Sequence, residues 1–385
     1  MTRTYAFIIF FSIVLVLYGL INTYIYLRGL SALSSAPAVR QWFSIVFWFL
    51  ALSYFAARLL ERIALSWFTD GLVWIGSFWL GAMAYLVIIL LAVDVLRLAN
   101  AIIPFFPDVI TKNSQAVKQT LFYAAAGVVL FTIIGARINQ ALPQIKTLEF
   151  VIHKKSPLRE LNVALITDVH LGTIICNSHF KRIVEKINSL NPDIVLFGGD
   201  LVDEDIEPVI RQNLGETLRQ IKSKYGLYGI TGNHEYIGGV EAACRYLTEH
   251  GVVMLRDSTV KIADAFVLVG REDVSIRQFE GKQRKPLVEL MNDADKSLPV
   301  ILLDHQPMNL HESAEQGADL QFSGHTHNGQ LWPFNYIAEA VYEVSWGYKR
   351  IGNTHIYVSC GVGTWGPPMR TGNRPEVVNV KLKFE

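Results

Sequence analysis

The chain has 385 residues, enough for two domains, and a formal net charge of +1. That balance supplies no strongly basic surface for nucleic acid and no acidic tail. Hydrophobic residues make up 51%, high for a soluble protein, and three cysteines (Cys176, Cys244, Cys360) have neither an even count nor metal-knuckle spacing.

The hydrophobic excess sits in the first third. Tyr5 to Leu27 carries no charged residue and is long enough to cross a bilayer core of about 30 Å. Gln41–Ala57, Gly71–Val93 and Thr120–Ala136 are three more uncharged runs. Trp42, Trp67, Trp74, Tyr24 and Tyr26 lie near their expected ends, as in an aromatic belt. Pro104 and Pro107 break the third connection. Ser31 to Ala38 is rich in small residues, but the first run exceeds a signal-peptide core of roughly 7–15 residues, so it reads as a retained helix. Four spans put both ends on one side. Arg3, Arg58, Arg62, Arg137, Lys146, Lys154 and Lys155 fall on that side, and Arg28, Arg40, Arg97, Lys112 and Lys118 on the other. The positive-inside rule then favours a cytoplasmic C-terminal domain. Asp94 and Arg97 read as an interfacial pair. A transport pathway would need more intramembrane charge than this, so anchoring is the better reading.

Composition changes near Leu142. The expected boundaries are a membrane domain over 1–142, a linker over 143–160 and an α/β domain over 161–385. Asn162–Ile166 reads as a strand that ends in Thr167-Asp168-Val169-His170. Phe180, Ile183, Val184, Ile187 and Leu190 follow a helical period, stopped by Pro192. Ile194–Phe197 is a continuous apolar run, a strand buried on both faces, followed by Gly198, Gly199 and Asp200. Ile206–Ile221 reads as one helix. Gly226–Ile230 is a strand leading to Gly232-Asn233-His234-Glu235, and Gly239–His250 a helix closed by Gly251. Val252–Val269 reads as successive strands, Lys285–Met291 as a helix and Pro299–Leu303 as a strand before Asp304-His305. Asp319–Phe322 leads to Gly324-His325-Thr326-His327, and Ile356–Ser359 and Val377–Phe384 are strands again.

Polar residues therefore fall just past five strand ends: Asp168 and His170, Asp200, Asn233 and His234, His305, and His325 with His327. In an α/β sheet such ends share a rim where ligands bind. Taken singly, each has a plainer reading. Asp200 could be a turn residue, Asn233 and His234 could cap a helix, and His305 could be a satisfied core histidine. Together they hold five of the ten histidines. Carboxylates, an amide oxygen and imidazoles suit divalent ions such as Mn²⁺, Fe²⁺, Zn²⁺ or Mg²⁺. Seven ligands are too many for one ion. Two ions about 3.5–4 Å apart, bridged by a carboxylate, suit displacement at phosphorus, with a metal-bridging hydroxide as nucleophile and an imidazole to protonate the leaving group.

DVH, GGDLVD, GNHE, the isolated His305 and GHTH, in this order, resemble the calcineurin-like metallophosphoesterase superfamily over about Leu161 to Glu385. The resemblance implies an α/β fold, a four-layer αββα sandwich, here preceded by an all-α membrane domain of about four helices. It implies that Asp168, His170, Asp200 and His327 hold a first metal, that Asp200 bridges, and that Asn233, His305 and His325 hold a second, with Mn favoured. His234 matches the catalytic histidine and Asp203 the carboxylate that orients it. Glu204 stands where protein phosphatases of the superfamily carry an Arg, which points away from phosphoprotein monoesters. YGLYGITGNHEY, FSGHTHNGQLWP and GVGTWGPPMRTGNRPEV are similar to bacterial membrane-associated phosphodiesterases and UDP-diacylglucosamine pyrophosphatase-like enzymes. Arg370 and Arg374 are then candidate phosphate contacts. The expectation is a membrane-anchored phosphohydrolase acting on a phosphorylated lipid or small molecule, with the bilayer as partner. The rivals are a non-catalytic membrane sensor or scaffold and a regulator of transport.

Overall fold

The computed structural model describes residues 3–33, 36–61, 63–112 and 114–385, so Arg62, one of the charges counted above, lies outside the described residues. The chain divides into two compact units, 1–135 and 136–385.

Unit 1 is helical: α1 (Arg3–Ala32), α2 (Pro37–Glu61), α3 (Trp67–Ile102), α4 (Asp108–Lys112) and α5 (Ser114–Ala141), the last turns of which belong to unit 2. Helices α1, α2, α3 and α5 are long and apolar enough to cross a membrane. Leu20, Val46, Leu91 and Phe131 are exposed on them, a surface that lipid satisfies and water does not. The inner seam joins Ile25, Phe47, Ala51, Trp79, Ala82 and Tyr85. A Cβ on Gly76 would lie 2.4 Å from the Tyr54 backbone nitrogen, so glycine allows α2 and α3 to close up. Asn22, fully buried, accepts from Trp79 Nε1 at 2.9 Å and donates to the Tyr18 carbonyl at 2.9 Å. The expected Asp94–Arg97 pair forms at 3.7 Å, but Asp94 also accepts from Tyr24 Oη at 2.6 Å and pairs with Arg28.

Unit 2 carries two six-stranded sheets. The first runs β1 (Gln144–Ile152), β12 (Glu376–Phe384), β2 (Glu160–Ile166), β3 (Ile194–Phe197), β4 (Leu227–Gly229), β5 (Val252–Met254). The second runs β10 (Gly347–Ile351), β11 (Thr354–Val358), β9 (Leu320–Ser323), β8 (Val300–Leu303), β7 (Phe266–Gly270), β6 (Ser258–Ile262). Alternate residues of both sheets interleave in one core: Leu161, Val163, Leu165 and Leu196 from the first, Leu268, Ile301, Leu303 and Phe322 from the second. The outer faces are covered by helices. On the first sheet lie α6 (Asn177–Ser189), which buries Phe180, Ile183, Val184 and Ile187, then α7 (Glu207–Arg211), α8 (Leu214–Leu218), α9 (Asn233–Gly238) and α10 (Val240–Glu249). After α11 (Ile276–Phe279), α12 (Leu287–Asn292) packs on Val267, Val269, Val300 and Leu302 of the second sheet, joined by α13 (Leu310–Gln316), and α14 (Asn335–Val341) lies against the turn at His327–Gly329. This is the four-layer αββα arrangement.

Two expectations change. The stretch 143–160 holds β1, whose nine residues pair in parallel with β12. Its Phe150 and Ile152 face inward, so it is an edge strand of the sheet and not a free linker. Ile206–Ile221 is two short helices, because Asn213 takes φ 54° between them and Gly215 sits under the His250 ring, which a Cβ there would strike at 2.2 Å. Cys244 and Cys360 are buried, but Cys176 is only half-buried.

Candidate metal centre

The five polar strand ends belong to both sheets. Those after β2, β3 and β4 come from the first, those after β8 and β9 from the second. The two carboxyl-end rims meet at the open edge of the sandwich, and the side chains converge there. Asp168, His170 and His327 bring one donor atom each within 4.8 Å of one another, and Asp200, His305 and His325 do the same. Asp200 lies between the groups: its Oδ2 is 3.1 Å from His305 Nε2 and 4.0 Å from His170 Nε2. Asn233 joins the second group through Oδ1, 2.7 Å from His325 Nδ1.

Close approach here depends on glycine. A Cβ on Gly232 would lie 2.1 Å from Asp200 Oδ1, and one on Gly324 2.3 Å from Asp168 Oδ2. Asp168, His170, Asp200, His325 and His327 all take positive φ, between 47° and 71°. Such clustering of left-handed non-glycine residues costs of order 1–3 kcal/mol each and is held by the surrounding fold.

The donors fit cations. Asp168 Oδ2 and His305 Nε2 are buried and make no hydrogen bond. His305 Nε2 faces Asp200 Oδ2 at 3.1 Å. Unpaired buried carboxylate and imidazole atoms are costly, and divalent ions satisfy both kinds. The far nitrogens of His305 and His327 are already occupied. His305 Nδ1 donates to the Gly198 carbonyl at 2.8 Å, leaving Nε2 as the free lone pair. His170 Nε2 and His327 Nε2 face each other at 3.0 Å.

Electrostatics divide the site. Burial opposes ionisation of Asp200, but His305, His234 and His170 around it hold its carboxyl well below the ordinary range. Burial likewise opposes a charged His234, yet Asp200, Asp203 and Glu204 raise it to about 10. Burial pushes His327 well below the usual histidine range, and the Arg370 guanidinium adds to this. His234 Nδ1 meets Asp203 Oδ1 at 2.9 Å. The same oxygen lies 3.5 Å from His170 Nδ1.

The two candidate substrate arginines fare differently. Arg370 is fully buried. Its Nε donates to the Gly363 carbonyl, Nη1 to the Cys360 carbonyl and Asn373 Oδ1, and Nη2 to the Gly363 carbonyl and His327 Nδ1 at 2.9 Å. All five donor directions are spent inside the protein, so the expectation of a phosphate contact at Arg370 is corrected: it braces the ring of His327. Arg374 is exposed and donates through Nε to the Leu142 carbonyl at 2.9 Å.

Two supporting carboxylates were not anticipated. Glu235, buried, accepts from the backbone nitrogens of Asp200, Val202 and Gly232 at 3.1, 2.9 and 2.7 Å, tying the β3 and β4 loops together. Its place three residues after Gly232 is a capping-box position, a signal visible in GNHE. Asp273, beyond the end of β7, is buried, holds Gln306 Nε2 at 3.1 Å and adds negative charge near His305 and His325.

A family profile described as calcineurin-like phosphoesterase matches residues 161–329. An uncharacterized metallophosphoesterase of Campylobacter jejuni is 29% identical over 98% of this chain and 99% of its own length. A transmembrane protein with metallophosphoesterase domain from Danio rerio is 34% identical over 63% of this chain, and an uncharacterized metallophosphoesterase of Aquifex aeolicus is 31% identical over 58% of it and 85% of its own length. The match spans less than two thirds of the Danio relative, 57% of its length.

Proposed function

The chain belongs to the calcineurin-like metallophosphoesterase family, and from that premise we propose that it is a membrane-anchored phosphohydrolase that uses two divalent ions to cleave phosphodiester or pyrophosphate bonds, in a lipid or lipid-linked substrate. The observation that carries the two-ion reading is the two donor groups Asp168–His170–His327 and Asp200–His305–His325, with buried unpartnered atoms in both. Asp168, His170, Asp200 and His327 would hold one ion, and Asp200, Asn233, His305 and His325 the other. Mn²⁺ is the first ion to test, since the donors mix carboxylate, amide and imidazole. When bound, the ions supply polarisation of the phosphoryl group and an acidified water.

The protein's own part is orientation and proton transfer. Asp203 fixes Nδ1 of His234, which leaves Nε2 to give a proton to the departing alkoxide. Arg370 and the Gly198 carbonyl fix the rings of His327 and His305. Glu204 in place of a phosphate-binding arginine supports a diester or diphosphate over a phosphoprotein. Four apolar helices in the same chain support a lipid substrate, and the charge pattern of the loops supports a cytoplasmic catalytic unit.

The test is hydrolysis of a chromogenic phosphodiester by detergent-purified protein, metal-stripped and then restored with Mn²⁺. Metal-dependent turnover, lost in Asp200→Asn and His234→Ala, is expected. Metal-loaded protein inert toward this diester and toward a panel of lipid-linked diesters and pyrophosphates would overturn the enzymatic reading in favour of a binding scaffold.

A further inference from the structure

Unit 2 leaves a run of large apolar side chains open directly after its last metal-ligand candidate. Trp332 is 52% exposed, Ile337 61% and Val341 67%, and Phe334 and Tyr336 are exposed beside them. Phe334, Ile337 and Val341 stand three and four residues apart, so they share one side of α14 and its entry. Ala338 alone in that helix is buried. The helix thus packs through one small residue and turns its apolar stripe outward. Glu339 and Glu343 flank the stripe, the latter paired with Lys349 at 2.7 Å. A short element with Trp and Tyr at an apolar face and charges at its border has the make-up of an interfacial membrane segment.

Hydrogen bonds within unit 2 connect this patch to the end of α5. Trp332 N donates to Thr371 Oγ1 at 2.8 Å, and Thr371 N to the Gln330 carbonyl at 3.1 Å. The neighbouring Arg370 N donates to the Ala136 carbonyl at 3.1 Å, and Asn139 Nδ2 to the carbonyls of Arg370 and Asn373 at 2.9 and 2.8 Å. Ala136 and Asn139 are in the closing turns of a membrane-length helix. Within unit 2 the patch is therefore linked through Thr371 and Arg370 to the closing turns of α5. It also adjoins the metal centre. Gln330 Nε2 donates to the Trp365 carbonyl at 3.0 Å, and the half-exposed Trp365 ring lies 6.1 Å from that of His234.

We propose that Trp332–Val341 is a second membrane contact of this protein, a surface that lies in the headgroup region and leads a lipid chain toward the metal centre. The contact stands by itself; the delivery of substrate rests on the lipid-substrate reading above. The bilayer is the occupant that the continuity with α5 and the aromatic composition favour.

The experiment uses the full chain in nanodiscs of phosphatidylcholine and phosphatidylglycerol. A nitroxide at Ile337→Cys, in a Cys176→Ser background, is compared with one at Lys383→Cys on the exposed end of β12. Accessibility to oxygen several-fold above that to a water-soluble nickel chelate at position 337, reversed at 383, is expected. Nickel accessibility at 337 equal to that at 383 would overturn the contact, as would dipolar broadening that marks a second copy on this face. For delivery, Trp332→Ser/Ile337→Ser/Val341→Ser should keep turnover of a soluble chromogenic diester and lose at least tenfold on a lipid-linked one. Equal turnover of the lipid-linked diester, or an equal fall on both, would overturn delivery. Absence of soluble-diester turnover in the parent protein would instead strike the functional reading, while the label depth still decides the contact.

Discussion

The membrane helices and the metal rim solve opposite problems. In unit 1 the buried polar groups are few among the described residues, and Asn22, fully buried, has partners for both ends of its amide in Trp79 and Tyr18. Apolar side chains face outward because lipid is the solvent. At the rim of unit 2 polar groups are dense and buried, several without partners, on backbone that five residues hold at positive φ. The difference teaches where to look for chemistry. A region that obeys the rules of packing carries structure, and one that breaks them in a cluster carries function.

Substitutions can sharpen that contrast. His234→Ala should cost about 10²–10⁴-fold in kcat while both ions stay bound, if the ring is the proposed proton donor; loss of an ion would instead make it a ligand, since it also groups with His170 and Asp203. Kinetics paired with metal analysis checks it. Arg370→Gln should cost roughly 10–100-fold in metal affinity, read by titration with Mn²⁺, because the ring of His327 loses its brace. Arg370→Lys should not restore it, since an ammonium cannot reproduce the five-donor fork.

A third prediction lies outside both regions. His179 is buried beside Arg182 and Arg137, and burial first, then these cations, push it down to about 4. The folded state thus resists a proton that the unfolded chain takes up below its ordinary value of 6.5. Stability should fall as pH drops from 6.5 toward 4, by up to roughly 3 kcal/mol. Denaturant melts of unit 2 in wild type and His179→Gln should show a shallower acid loss in the variant. The smallest effect is expected in the membrane. Asn22→Leu should destabilise unit 1 by about 0.6–1.7 kcal/mol in detergent unfolding, with turnover of a soluble diester unchanged.

Much of this was legible in the amino-acid sequence. The four uncharged runs became helices because length and composition decide that outcome in lipid. The strands before Asp168, Asp200, Asn233, His305 and His325 were visible as short apolar runs cut by glycine or polar turns. That the five strand ends come from two sheets was not visible in the runs themselves, since strand pairing is non-local. β1 was hidden because Gln144, Lys146 and Glu149 dilute its pattern, as an edge strand permits. The break at Asn213 was hidden because Gly215 is needed by His250, a residue far along the chain. Arg370 was misjudged for a related reason: an arginine in a Gly/Pro loop looks like a surface group, and only the packed fold shows four internal acceptors taking its five hydrogen bonds.

Metal content tells whether Asp200 is shared by two cation sites. Protein purified in detergent, stripped, restored with Mn²⁺ and freed of excess should hold two ions per chain by elemental analysis, and Asp200→Asn at most one. A single ion in wild type, unchanged in Asp200→Asn, would contradict the account.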